Sequence, residues 1–443
     1  MIVIGIVVSR ADPASEHVGE HLLDLEDWER HEDESLSDGD GGGTVYRTEG
    51  FELREFDEFH LYLEDVAEVF DDPSMILFAS RHSGETGPLL TAHVPGNFGP
   101  AEFGGRDRTV PAAAPNALCR LVEAFDEHVP EGYDVGMECT HHGPSRVGVP
   151  SLFVEVGSAE EQWEDPAGAR AVAESILDLR GVEARTDRAF VGFGGSHYVP
   201  RFERIVRETP WSVGHVAADW AIEDMGDPED DANREVIGQA FGRTGTTYAV
   251  IDGEYPEIER VVEELGYRVV TETWIRSVGD RPLGLVERLE DALSTIDDGL
   301  RMGEVVAETF EVVDLPDELL AEAQGIDADA TRGVIEENAI AFETEHGGTR
   351  TVGRAAVVEG DARDAIVEGL ARVLEADYDH VEVGTDAVVV EETAFDPTLA
   401  REHGVPEGPK FGQLSAGQSV EIDGQTVAPE DVHVERTRRF PTS

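Results

Sequence analysis

Four short segments place histidine close to glycine or proline: S-R-H-S-G-E (His82), T-A-H-V-P-G-N (His93), E-C-T-H-H-G-P-S (His141, His142) and G-F-G-G-S-H-Y-V-P (His197). His215 follows in S-V-G-H-V. Five of these six fall at or near the end of an apolar, strand-like run, while His93 lies inside its run shortly before Pro95. Ligands of open α/β sheets bind at the carboxyl ends of strands. Imidazole nitrogen with carboxylate oxygen is also a donor set for a tetrahedral Zn²⁺ site. Glu138 and Glu155 are the carboxylates placed to join such a site. A glutamate on a core strand needs a partner, which a metal or a neighbouring imidazole supplies; on an edge strand it is simply solvated.

Read singly, each buried histidine is an ordinary core residue. His82 and His93 gain weight because they lie almost symmetrically about Gly87-Pro88. In a hairpin turning there, their backbones would be within roughly 5 Å. Adjacent side chains on a regular strand point to opposite faces. His141 and His142 therefore converge only if the strand breaks at Gly143-Pro144, and one ligand beside one structural histidine fits as well. Cys139 reads as a small core residue. Glu161 has a sufficient explanation in a capping box, Ser158 to Glu161, before a short helix. The run G-F-G-G-S (Gly192–Ser196) is half a dinucleotide fingerprint and is better read as a tight turn presenting His197. Arg201, Arg204 and Arg207 repeat every three residues after Pro200. With Arg81 they are the candidates for contact with nucleic-acid phosphate, the alternative for the repeat being a salt-bridged helix face.

The elements that must position these residues read as α/β, a mixed and largely parallel sheet flanked by helices. Strand candidates are Ile2–Val8, Met75–Ala79, Leu89–Val94, Val135–Thr140, Leu152–Val156, Ala189–Phe193, Tyr248–Ile251 and Arg268–Trp274. Helical spacing marks Ala14–Leu25, Asn116–His128, Ala167–Leu179, Asn233–Phe241 and Pro256–Leu265. Residues 27–50, acidic and glycine-rich, read as a mobile loop. The stretch G-D-R-P-L (Gly279–Leu283) reads as a boundary, followed by a long acidic helix over Gly284–Met302. The expected domains are therefore 1–280, an accessory α+β domain over 281–394, and a Pro/Gly-rich tail with short strands over 395–443.

The 34 Lys and Arg against 95 Asp and Glu give a net charge of −61, yet 40% of the chain is hydrophobic. Such a body repels itself in dilute buffer. At 1 M salt the Debye length is about 3 Å and that repulsion largely vanishes, so a cytoplasm of very high salt is expected. In that setting acidity does not exclude a nucleic-acid partner. Lys410 is the only lysine, which leaves no phosphate-loop or Schiff-base lysine. Cys119 and Cys139 are too few for a disulfide framework or a cysteine-only metal site. M-I-V-I-G-I-V-V-S lacks a basic region and is too short to span a bilayer, so no membrane association is expected. A monomer is expected.

Together the segments I-L-F-A-S-R-H-S, H-V-P-G-N, A-E-F-G-G, M-E-C-T-H-H-G-P-S, P-S-L-F-V-E-V-G-S, E-E-Q-W, G-F-G-G-S-H-Y-V-P-R and V-G-H resemble, in order, the zinc-dependent D-aminoacyl-tRNA deacylases of archaea and plants. The resemblance spans residues 1 to about 280, and M-E-x-T-H-H-G-P-S is its most specific part. It implies a fold related to peptidyl-tRNA hydrolases and purine nucleoside phosphorylases, bound zinc (two ions per chain), and a D-aminoacyl-tRNA substrate rather than DNA. The form would be haloarchaeal, with a C-terminal extension. In that extension Val405–Val420 resembles a short segment of the tRNA 3′-processing nuclease tRNase Z. The resemblance does not say which histidines hold metal. Our own assignment is His82, His93, His141, Glu155, His197 and His215 as ligand candidates, with Glu138 as general base and His142 beside it as catalytic candidate. A peptidyl-tRNA hydrolase or metallo-aminopeptidase, or a non-catalytic tRNA-binding protein, are the competing expectations.

Overall fold

The computed structural model describes residues 2–442. Contacts divide the chain into two compact units, Met1–Ile275 and Arg276–Ser443, so the division falls five residues before the expected boundary at 280.

In chain order the first unit contains β1 Ile4–Ser9, α1 Pro13–Leu25, β2 Glu29–Asp33, β3 Gly43–Thr48, β4 Phe51–Phe56, β5 Met75–Arg81, β6 Leu89–His93, α2 Pro115–His128, β7 Asp134–Met137 and β8 Ser151–Gly157. It continues with α3 Glu160–Trp163, α4 Pro166–Leu177, β9 Ala189–Gly194, α5 Pro200–Glu208, β10 Ser212–Ala217, α6 Asp219–Met225, α7 Asp231–Thr244, β11 Tyr248–Asp252, α8 Pro256–Glu264 and β12 Arg268–Val269. Two sheets result. One has eight strands in the order β2-β3-β4-β1-β5-β8-β6-β7, and the other has four, β10-β9-β11-β12. The smaller is all parallel. In the larger, β4, β1, β5 and β8 run parallel. All residues of β1, β6, β8, β9 and β10 are buried, as continuous apolar runs covered on both faces must be. Helix starts follow local chemistry. Asp12 and Asp165 accept from Ala14 and Ala167 N–H, ahead of Pro13 and Pro166 at the first helical position.

Four expectations change. Residues 27–50 form an antiparallel pair, β2 with β3, at the edge of the sheet. E-R-H-E-D has no apolar residue and G-T-V-Y-R-T buries only Val45, so neither strand shows the alternation by which a half-buried strand is read. Arg268–Trp274 is a strand only over its first two residues, since Glu272–Val278 turns helical. The short helix α3 is capped by the Gln162 side chain, which accepts from Ser158 and Ala159 N–H, and not by Glu161. Finally, β5 and β6 are not hairpin partners, because β8 lies between them.

In the second unit Leu300–Met302, Ala341–Glu345, Arg350–Val357 and Glu311–Asp314 form an antiparallel sheet. Gly284–Met302 is not one helix but Leu283–Ala292 followed by the strand Leu300–Met302. His433–Pro441 pairs along its length with Ala387–Phe395, and Phe440 enters the same core as Leu319, Phe342 and Leu370, so the tail is part of the fold. Among the described residues no helix is long and apolar enough to cross a membrane.

Candidate active site and metal centre

The site is built where the two sheets of the first unit meet. Just past β7 the main chain bonds alternately to both: Glu138 N–H donates to Ala92 O (3.1 Å), Cys139 to His197 O (2.9 Å) and Thr140 to Val216 O (2.8 Å). The following pair resolves the question left by its adjacency. His142 takes a left-handed backbone (φ 46°) before Gly143-Pro144, and both rings swing to His93. Ring centres lie 4.1 Å apart for His93–His141, 4.7 Å for His93–His142 and 4.4 Å for His141–His142. Histidine tolerates this backbone region better than most residues, but it is strained, at about 1–3 kcal/mol.

The hydrogen bonds of the three rings share one pattern. Nδ1 of His93 faces Val94 O (3.3 Å), that of His141 faces Cys139 O (2.9 Å), and that of His142 faces Gly143 O (2.8 Å). A carbonyl accepts only from N–H, so it places the proton on Nδ1 and leaves Nε2 as a lone pair, the arrangement of metal-ligating histidine. His93 Nε2 is buried without a hydrogen-bond partner. Burial pushes His141 down to about 3, helped by the neighbouring imidazoles, and depresses His142 well below its ordinary range for the same reasons. His93 goes the other way: burial opposes its charge but Glu155 carries it up, so an ion there would have to displace that proton. Neutral imidazoles are what a metal requires.

Glu155 reaches the same place from β8. It pairs in register with Ser80 of β5 on one side and Thr91 of β6 on the other. Its carboxylate lies 3.6 Å from His82 Nδ1 and 3.6 Å from His93 Nε2. The two histidines are thus brought together across an interposed strand. Glu138 Oε2 accepts from His197 Nε2 at 2.7 Å, and Oε1 lies 3.1 Å from His82 Nδ1, out of line and without a hydrogen bond. Burial opposes ionisation of Glu138 and Glu155, but their histidine partners outweigh it and hold both below the usual carboxylate range. Burial likewise opposes charging His82, yet the two carboxylates carry it up to about 11. Three sets in this cluster have ligand atoms all within 4.8 Å of one another: His93, His141 and His142; Glu138, His141 and His197; His82, Glu138 and Glu155. A fourth among the described residues, Glu127, His128 and Asp178, is largely exposed. The donor set, the shared Nδ1 pattern and the unpartnered His93 Nε2 and Glu138 Oε1 fit a metal ion.

The family model for D-aminoacyl-tRNA deacylases matches residues 69–270, a stretch that contains every one of these groups. A D-aminoacyl-tRNA deacylase of Halorubrum lacusprofundi is 57% identical, with 99% of this chain and 96% of the relative covered. One from Natronomonas pharaonis is 54% identical over 99% of each. The chain belongs to the D-aminoacyl-tRNA deacylase family. A deacylase of Methanococcoides burtonii is 32% identical over 98% of this chain and 95% of its own. The crystal structure of the conserved protein of unknown function AF0625 aligns with 62% of this chain and 97% of its own, at 30% identity and a TM-score of 0.55.

Within this deacylase fold, His215 stays apart from the cluster. Its ring is fully buried, with Nδ1 at 3.2 Å from Thr140 Oγ1 and Nε2 at 2.9 Å from Pro111 O. Both nitrogens are engaged by protein, and burial pushes the group down to about 4. The arginine repeat lies on α5, where Arg201 pairs with Asp252 (3.2 Å), Arg204 with Glu272 (2.8 Å by its second nitrogen), and Arg207 with Glu203 (2.7 Å) and Asp126. That is the salt-bridged face. Arg81 differs, its guanidinium lying over Phe59 at 5.1 Å and Trp163 at 5.0 Å. Two residues went unread in the sequence. Tyr198 Oη is 3.2 Å from His82 Nε2, and Phe153 stacks beneath His93 with centres 5.2 Å apart at 11°. Adjacency to His197 is the signal that marks Tyr198; for Phe153 it is the two-residue spacing from Glu155, which puts both on one face of β8.

Proposed function

We propose that the chain hydrolyses the ester between a D-amino acid and tRNA, at a zinc centre held by the His/Glu cluster. The observation that carries the metal reading is the trio His93, His141 and His142, each with Nδ1 against a main-chain carbonyl and with ligand atoms within 4.8 Å of one another. The trio would hold one ion. His197, or His82 with Glu155, would hold a second beside Glu138. Zinc supplies a Lewis acid beside the ester carbonyl and makes nearby water more acidic. The chain's own residues orient and move protons. Glu138, kept ionised by His197 and His82, takes the proton of the attacking water at Oε1, the oxygen without a hydrogen-bond partner. Loading a metal onto His82 displaces the proton that the two carboxylates stabilise there, so uptake should release protons. The leaving group is the terminal ribose hydroxyl. Every group named lies within Met1–Ile275, which we take as the catalytic unit.

Hydrolysis of paired D- and L-aminoacyl-tRNA in multimolar KCl, with and without a chelator, tests the reading. We expect release from the D ester alone and its loss on chelation. Glu138→Gln should lower turnover by about 10²–10⁴-fold, the span of a lost general base, with metal retained. Metal lost together with turnover makes Glu138 a ligand instead. A chelator-resistant rate rejects the metal.

A further inference from the structure

Among the described residues three aromatic side chains are exposed: Tyr62 (57%), Phe103 (65%) and Trp220 (42%). All three border the cluster. The Trp220 ring is 6.4 Å from that of His197, tilted by 30°. On the other side, Phe103 O accepts from Gly143 N–H at 2.9 Å, next to His142. Tyr62 follows Leu61, whose carbonyl packs so closely on Gly143 and Gly104 that neither has room for a Cβ. Large apolar groups left in water on the segments around one polar site point to a binding surface.

We infer that these aromatics are stacking platforms for the unpaired bases at the 3′ end of the tRNA. This rests on the deacylase reading, since the ester must sit in the cluster and the bases attached to its ribose must then lie on the rim. Two observations favour stacking over phosphate capture. The chain carries a net charge of −61, and the arginines of α5 are already paired with Asp252, Glu272, Glu203 and Asp126. In concentrated salt the release of counterions from phosphate offers little, whereas a base against an aromatic face contributes about 1–3 kcal/mol whatever its sequence.

The test uses the full chain and two substrates, D-tyrosyl-tRNA and D-tyrosine ethyl ester, the second having the scissile bond without bases. For Trp220→Ala the loss in kcat/KM on tRNA should exceed the loss on the ethyl ester by about 5–150-fold, the equivalent of one stacked base. Trp220→Phe should recover most of it, and Phe103→Ala and Tyr62→Ala should show the same divergence more weakly. Equal losses on both substrates mean that Trp220 merely steadies His197, and no loss on tRNA means that nothing stacks; either overturns the inference. If the wild-type enzyme cleaves neither substrate, the hydrolase reading fails instead. Quenching of Trp220 fluorescence by the trinucleotide CCA, taken as the difference from Trp220→Phe, then decides stacking alone, and absence of quenching rejects it.

Discussion

Two regions of the first unit hold histidine away from solvent and use it in opposite ways. In the turn after β7, His141 and His142, with His93, give one nitrogen to a carbonyl and keep the other open. On β10, the strand whose Val216 accepts from Thr140 at the seam, His215 gives one nitrogen to Thr140 and the other to Pro111. Burial lowers the pKa of His141, His142 and His215 alike, while against the same burial Glu155 carries His93 up, so acidity does not separate the two roles. What separates a ligand from a tie is the destination of the second nitrogen. His60 sharpens the point. Its Nδ1 is unpartnered, but Nε2 is taken by Ala79 O at 2.9 Å, and it joins none of the three donor sets. An open nitrogen counts only where others converge on it.

The largest effect should come from removing an open nitrogen. His93→Ala or His142→Ala should lose metal and turnover together, each by more than the about 10–100-fold that an outer partner costs, by elemental analysis and D-aminoacyl-tRNA hydrolysis. Retained metal with normal turnover in both variants would dissolve the distinction drawn above. His215→Ala should do the reverse, costing about 1–3 kcal/mol of stability through the groups left unpaired at Thr140 and Pro111, with metal content kept. Thermal unfolding alongside metal analysis reads both.

The smallest effect concerns Asp12, buried 3.7 Å from His60 Nε2, a site of buried charge without metal. Burial lifts its carboxyl from 3.8 to about 6 against the N–H bonds of Arg81 and Ala14. Folding therefore favours the protonated form. The stabilising contribution is complete below pH 3.8 and lost as pH rises through about 6. Asp12→Asn should thus melt higher than wild type at pH 8 and no higher at pH 3.8, by less than about 3 kcal/mol since Asn accepts those N–H bonds more weakly. A difference that does not change with pH would show that folding leaves the Asp12 pKa unshifted.

Much of this fold is legible in the sequence because strands buried on both faces are continuous apolar runs: Ile4–Ser9, Met75–Arg81 and Ser151–Gly157 could hardly be anything else. Strand order is not, since it is a property of long-range pairing. Symmetry about Gly87-Pro88 put His82 and His93 in one place for the wrong reason, the insertion of β8 being invisible locally. The convergence of His141 with His142 needed a positive φ that the sequence marks only by the neighbouring Gly143-Pro144. His215 was drawn into the ligand set because V-G-H-V looks like the other segments; its partners, Thr140 and Pro111, are 75 and 104 residues away. Residues 27–50 show that an edge strand in an acidic protein can lack apolar residues altogether, so that β2 leaves no hydrophobic pattern to read.

The three consecutive amides of Glu138, Cys139 and Thr140 are tied to Ala92, His197 and Val216, and so to elements of both sheets. A local opening that parts the sheets must break these bonds in the same event that scatters the donor groups. The two layers then behave as one cooperative folding unit around this stitch, and the protons of these three amides should exchange with solvent only through large openings rather than by fraying. An ion seated beside the stitch would slow that exchange for both layers at once, fastening a seam rather than filling a pocket.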